Sequence, residues 1–207
     1  MITLKDLWNT LLIETGQFIL QDKDIEIDTF RFKTLVNRVL ALYSKYCPHL
    51  KNLWIMVNTR KYTFIDPPEW IMDLIPLELA GIVPYFIRDP WYMEQDKRLF
   101  IWEYRKPNLY VEIQGRYDVK AIYYHTLKED ENGEFYIDTI NFTDTLFLDL
   151  IKGYFLSALG RNRRAFTLND LPLTTDADQL VQEGEELIRD TTQNLLENNL
   201  EFYKAWR

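Results

Sequence analysis

Apolar residues recur every three or four positions in four stretches of the chain, and each stretch predicts a helix. Leu4, Leu7, Trp8 and Leu11 mark the first, over about residues 3–15. Thr3-Leu4-Lys5-Asp6 resembles a capping box at its start, and Gly16 stands near its end. Phe32, Leu35, Val36, Val39, Tyr43 and Tyr46 form one stripe of a second helix, about 29–46, which Pro48 stops. Phe147, Leu150, Ile151, Tyr154, Phe155 and Ala158 define a third, about 144–160. Asp144 or Thr143 is placed to cap its start, and Gly160 stands where a left-handed C-terminal cap would. Thr174-Thr175-Asp176 then opens a fourth helix, about 175–200, whose stripe of Leu180, Gly184, Leu187, Ile188, Thr191 and Leu195 is narrow enough for a single neighbour.

Between the second and third helices the pattern shifts toward strands. Asn52–Val57 and Lys61–Ile65 read as strands around a turn at Asn58-Thr59-Arg60. Asp66-Pro67-Pro68-Glu69 predicts the start of a short helix, with Trp70, Ile71, Leu74 and Ile75 on its buried side and Pro76 limiting its length. Pro84 and Pro90 leave only broken or short elements in Leu77–Asp89. Arg98–Tyr104 and Leu109–Gln114 pair across Lys106-Pro107-Asn108, and Val119–Thr126 is a further strand. Asn132-Gly133 is a hairpin signal before Phe135–Ile140, and its tip, Lys128–Glu134, is expected to project into solvent. The whole predicts one α+β domain over residues 1–207. Its base is helical, made of the N-terminal helices and a C-terminal helical hairpin, and it carries an antiparallel β insertion over about 52–140.

A net charge of -8 and a pI near 4.9 argue against broad electrostatic binding to duplex nucleic acid, which needs Lys and Arg to replace condensed counterions. Cys47 is the one cysteine, so the chain has no intrachain disulfide and no thiolate metal site. Lys5, Asp6 and Glu14 interrupt the N-terminal apolar residues as no signal peptide would. Asp73, Pro76, Glu78 and Pro84 break the greasiest stretch, Trp70–Ile87, so no bilayer span is predicted. The expectation is a soluble protein made in the cytoplasm.

Catalytic patterns do not emerge. The seven glycines form neither phosphate-binding fingerprint. His49 and His125 have no partner at metal spacing and read as structural or surface residues. Glu129, Asp130, Glu131 and Glu134 lack the alternating spacing of a calcium loop and read as a solvated hairpin tip. Asn141-Phe142-Thr143 matches a glycosylation sequon without a secretory signal. No cofactor, no metal and no enzymatic activity are expected.

Three features suit binding. Arg161, Arg163 and Arg164 form a basic knot, explained equally by the dipole at a helix C-terminus or by an acidic partner or phosphates. Phe202, Tyr203 and Trp206 are more aromatic residues than a frayed terminus needs; they pack back on the domain or anchor in a partner. The acidic faces of the last helix keep it solvated or line a negative surface in an assembly.

These segments resemble the neck, or head-completion, proteins of tailed bacteriophages, within the wider head–tail connector adaptor group. Ile25-Glu26-Ile27-Asp28 leading into the helix with Arg38, Ala41, Leu42 and Tyr43 is similar to the start of such proteins. Arg98–Leu127, with Gly115-Arg116-Tyr117-Asp118 between two strands, resembles their β portion. Leu146–Leu196 resembles their C-terminal helical pair. The likeness covers about two-thirds of the chain and is topological rather than chemical; the long Gly-rich insertion of some relatives is missing. The resemblance implies a structural virion protein at the head–tail junction, in a ring of typically twelve subunits beneath the portal. DNA passes through its lumen without sequence-specific binding, and no membrane is involved. It also implies a C-terminal segment docked on the portal, hence roles for Phe202, Tyr203 and Trp206 there, with Arg161, Arg163 and Arg164 in intersubunit or portal contacts. A tail-completion or baseplate component of the same virion is the competing structural reading. A metal-dependent hydrolase would instead require carboxylates converging in a pocket.

Overall fold

The computed structural model describes residues 1–15, 29–79, 101–167 and 177–205. The expected end of the first helix at Gly16, Ile25-Glu26-Ile27-Asp28, and Thr174-Thr175-Asp176 at the expected start of the last helix lie outside them, as do Trp206 and most of the proline-broken stretch. The fold is α+β, with helices and antiparallel sheets. The chain divides into two compact units: Met1–Cys47 together with His125–Arg207, and the continuous segment Pro48–Tyr124.

The first unit is helical. Strand β1 (Ile2–Thr3) leads into α1 (Leu4–Glu14), where Thr3 Oγ1 accepts from the Asp6 backbone N–H at 3.0 Å and donates to the Asp6 carboxylate at 2.7 Å. The second helix, α2, spans Thr29–Tyr46. Its Phe32 meets Trp8 of α1 and Phe155 edge-on, with centroids 4.8 and 6.4 Å away; Trp8 and Phe155 are 5.7 Å apart. Edge-to-face packing of this kind adds about 0.5–1.5 kcal/mol per pair beyond area burial. Strands β8 (Lys128–Glu129) and β9 (Phe135–Ile137) form the Asn-Gly hairpin, with Gly133 at φ +80, and β9 pairs with β1 through Ile2 and Ile137. Ile137 and Ile140 belong to the helical core, so this hairpin is part of the helical unit.

Helix α3 (Thr145–Thr167) and helix α4 (Ala177–Ala205) complete the unit. Here the structure corrects the sequence reading. Gly160 does not cap a helix; it lies inside α3, and the arginine knot is helical rather than a break. The reason is steric: a Cβ at Gly160 would stand 2.6 Å from the Ala177 carbonyl oxygen, so the residue is small to admit α4 rather than to turn the chain.

The second unit holds two three-stranded antiparallel sheets. In the first, β7 (Gly115–Tyr123) lies between β2 (His49–Val57) and β4 (Trp70–Leu79). In the second, β6 (Asn108–Val111) lies between β3 (Lys61–Thr63) and β5 (Trp102–Arg105). Both sheets contribute to one core, with Ile55, Ile71, Leu74, Tyr117 and Val119 from the first and Leu109 and Val111 from the second. Trp70–Leu79 was expected to begin as a helix and is a strand instead. Register shifts between Ile71 and Asp73 and between Pro76 and Glu78 explain the misreading. The first bulge puts Ile71 and Leu74 on the same face at a spacing of three, which imitates helical periodicity. Pro76 is tolerated beside the second bulge, on a strand with one described neighbour.

Candidate functional site

The described residues singled out for binding lie on the α3–α4 hairpin, so its geometry sets what they can do. Ala177, Val181, Gly184, Thr191 and Leu195 are buried along α4, with half-buried Ile188 completing an alternation of four and three residues. That is the spacing of a helix pair meeting along one seam. On α3 the matching positions are Gly153, Ser157 and Gly160. A Cβ at Gly153 would meet the Gly184 carbonyl oxygen at 3.0 Å, and one at Gly184 would meet the Gly153 carbonyl oxygen and the Ser157 nitrogen at 2.6 Å each. The two backbones therefore touch, antiparallel, with Gly160 beside the start of α4 and Gly153 beside Gly184 and Ile188.

This arrangement separates the two predicted docking features. Arg161, Arg163 and Arg164 lie in the last two turns of α3, beside the first turns of α4. Phe202 and Tyr203 lie in the last turn of α4. The 21 residues from Val181, which faces Gly160, to Phe202 span about 32 Å of helix at 1.5 Å per residue. Arg161, Arg163 and Arg164 thus stand at the opposite end of the hairpin from Phe202 and Tyr203. The side chains of Arg164, Phe202 and Tyr203, and the whole of Trp206, lie outside what is described. Arg161 donates to Glu185 Oε1 at 3.0 Å, with both side chains more than half exposed. A pair of this type contributes about 0–1 kcal/mol, so a partner can recruit Arg161 at small cost. Arg163 is half-buried and already engaged.

The outer faces of α4 are satisfied internally by pairs one turn apart: Gln179 donates to Glu183 at 2.7 Å, and Gln182 and Gln193 donate to Glu186 and Glu197 at 3.2 Å. Charge is also divided between the units. Pro48–Tyr124 contains 10 Lys or Arg and 10 Asp or Glu, so the net charge of -8 falls on the helical unit. The acidic hairpin tip expected to be solvated has a structural account as well. Asp130 Oδ1 accepts from the backbone N–H groups of Asn132 and Glu134 at 2.9 and 2.7 Å, so this carboxylate holds the turn. Among the described residues no group of three metal-capable side chains converges, and no described helix is long and apolar enough to cross a membrane.

His125 is a buried structural residue. Its Nε2 lies 2.7 Å from the Cys47 carbonyl oxygen, which only accepts, so Nε2 carries the proton. Nδ1 then accepts from the Thr139 hydroxyl at 2.7 Å, and the His125 backbone N–H donates to Ser44 Oγ at 2.9 Å. The neighbouring Cys47 thiol is pushed up by burial, against a hydrogen bond from Tyr43 that lowers it.

Sequence reasoning missed the small-residue seam. The signal was present in Gly153, Ser157 and Gly160, spaced four and three apart, facing Gly184. No protein-family model matches the chain, and no curated protein matches it significantly.

Proposed function

We propose that the protein is a structural ring adaptor at the neck of a tailed bacteriophage, joining the portal vertex to the tail and letting DNA pass. The observation that carries the reading is the α3–α4 hairpin: two long helices in backbone contact, with different contact groups at their two ends. A closed ring needs each subunit to offer two different faces to its neighbours, and a hairpin with arginines at one end and aromatic residues about 32 Å along α4 at the other supplies such an asymmetry. The acidic outer faces of α4 suit a wall along which DNA slides rather than sticks, since like charge opposes adhesion.

In this reading Phe202, Tyr203 and Trp206 dock on the portal, and Arg161, Arg163 and Arg164 make intersubunit or portal contacts. The partners are further copies of the chain, typically twelve, the portal and further neck or tail proteins. Deleting residues 201–207 removes none of the described buried residues of the seam, Ala177 to Leu195. The truncated chain is expected to keep its fold and lose portal binding in a pull-down with purified portal; undiminished binding would remove the docking role from the tail. Cryo-microscopy of the particle separates this reading from a tail-completion or baseplate role by the end of the tail at which the density stands.

A further inference from the structure

The β2–β7–β4 sheet of the second unit buries one face in the core and on the other exposes large apolar residues among charged ones. Tyr117, Val119 and Ala121 of β7 point into the core at 0–1% exposure, so the alternate residues Arg116, Asp118 and Lys120 point the other way. Strand register extends that open face sideways. In the strand register Lys120 stands opposite Asp73 and Arg116 opposite Glu78. Both cations are engaged. Asp118 is different: its cross-strand neighbours are Trp54 on β2 and Ile75 on β4. One of its carboxylate oxygens is shielded from solvent and has no hydrogen-bond partner. Next to it Trp54 is 80% exposed, and Met56 and Trp70 on the same face are 50% and 62% exposed.

An unmatched carboxylate beside an exposed indole fits one kind of occupant. A shielded carboxylate oxygen without a donor is costly, and a cation with hydrogen-bond donors relieves that cost. A guanidinium does so best, because its planar fork bonds a carboxylate while its face stacks on an indole. We propose that this face docks a protein segment presenting an arginine beside an apolar side chain, the arginine on Asp118 and Trp54 and the apolar side chain covering Met56. The proposal goes beyond the adaptor reading and stands on this face alone, whatever ring the chain forms.

The test uses the full chain, labelled with ¹⁵N, and the peptide acetyl-Val-Arg-Val-Thr-amide beside a version with glutamine for arginine. The indole N–H signal of Trp54, assigned by its loss in Trp54→Phe, is expected to shift saturably with the arginine peptide. Binding is expected to weaken about tenfold with the glutamine peptide or in Asp118→Asn, as loss of a charged hydrogen bond implies. Equal binding of the two peptides overturns the proposal, and because that comparison uses the unaltered protein it does not depend on any variant folding. No shift at millimolar peptide also overturns it. So does a shift of the same indole produced by raising protein concentration alone, which would assign the face to a second copy.

Discussion

A Cβ on Gly184 would lie 2.6 Å from the backbone nitrogen of Ser157, closer than real Cβ atoms come to any atom. The obstacle is backbone on both sides, so no side-chain rotation relieves it. Gly184→Ala should therefore destabilise the protein although alanine is the better helix former by about 1 kcal/mol. Overpacking of this kind costs about 1–3 kcal/mol, occasionally more, and a urea denaturation midpoint shifted down would show it. Gly160→Ala should behave alike, with the Ala177 carbonyl oxygen 2.6 Å from the new carbon. A midpoint raised by either change would mean that the helices do not meet along this seam.

His125 ties the end of α2 to the segment before α3 through Cys47, Thr139 and Ser44. His125→Ala leaves the Cys47 carbonyl and the Thr139 hydroxyl without this partner, each worth about 1–3 kcal/mol when stranded. The expected loss is about 2–4 kcal/mol in chemical denaturation. A loss below 0.5 kcal/mol, roughly the scatter of surface substitutions, would assign these groups to water instead.

The helices were largely legible because their burial follows a 3.6-residue period. Phe32, Val36 and Val39 are buried as their spacing implies, and α2 ends at Tyr46, just short of Pro48. Three things hid the rest. A bulge at Met72 made a strand look helical by spacing Ile71 and Leu74 three apart. Gly160 has two unrelated uses, ending a helix or admitting another backbone, and only the position of Ala177 tells them apart. Trp54 falls within the strand expected over Asn52–Val57, whereas its meaning depends on Asp118, which register places opposite it. Of the candidate site, the residues were visible in sequence, but the separation of the arginines from the aromatic tail follows from the antiparallel helices.

Burial holds the Tyr117 phenol up at about 12, and burial with the nearby Glu69 carboxylate does the same for Tyr104. Tyr117 donates to the Ile113 carbonyl, and Tyr104 to that of Pro68 at 2.5 Å. Phenols of the unfolded chain ionise near their ordinary value of about 10. Between pH 10 and 12 the unfolded state thus releases protons that the folded unit keeps. The stability from these groups is full below pH 10 and is lost as pH rises through 12. Tyrosinate absorbance at 295 nm should show a late-titrating fraction that Tyr117→Phe reduces; one transition near pH 10 in the folded protein would contradict this.

The Cys47 thiol stands above its ordinary range because burial penalises the thiolate, and Asp144 adds to the effect. Since the thiolate is the nucleophile, Cys47 should react with a disulfide reagent at pH 8 more slowly than free cysteine. Its rate should still be climbing at pH 9, and unfolding in urea should bring it to the free-thiol rate. A folded protein as reactive as free cysteine at pH 8 would show the thiol to be solvated.

The adaptor reading stands or falls on assembly with the portal. Sedimentation velocity of the full chain, alone and with purified portal from the same particle, measures it most directly, with electron microscopy of the complex to count subunits. The reading predicts a portal complex capped by a closed ring, of about twelve copies as the resemblance to phage neck proteins implies. A chain that stays monomeric in both conditions would contradict it.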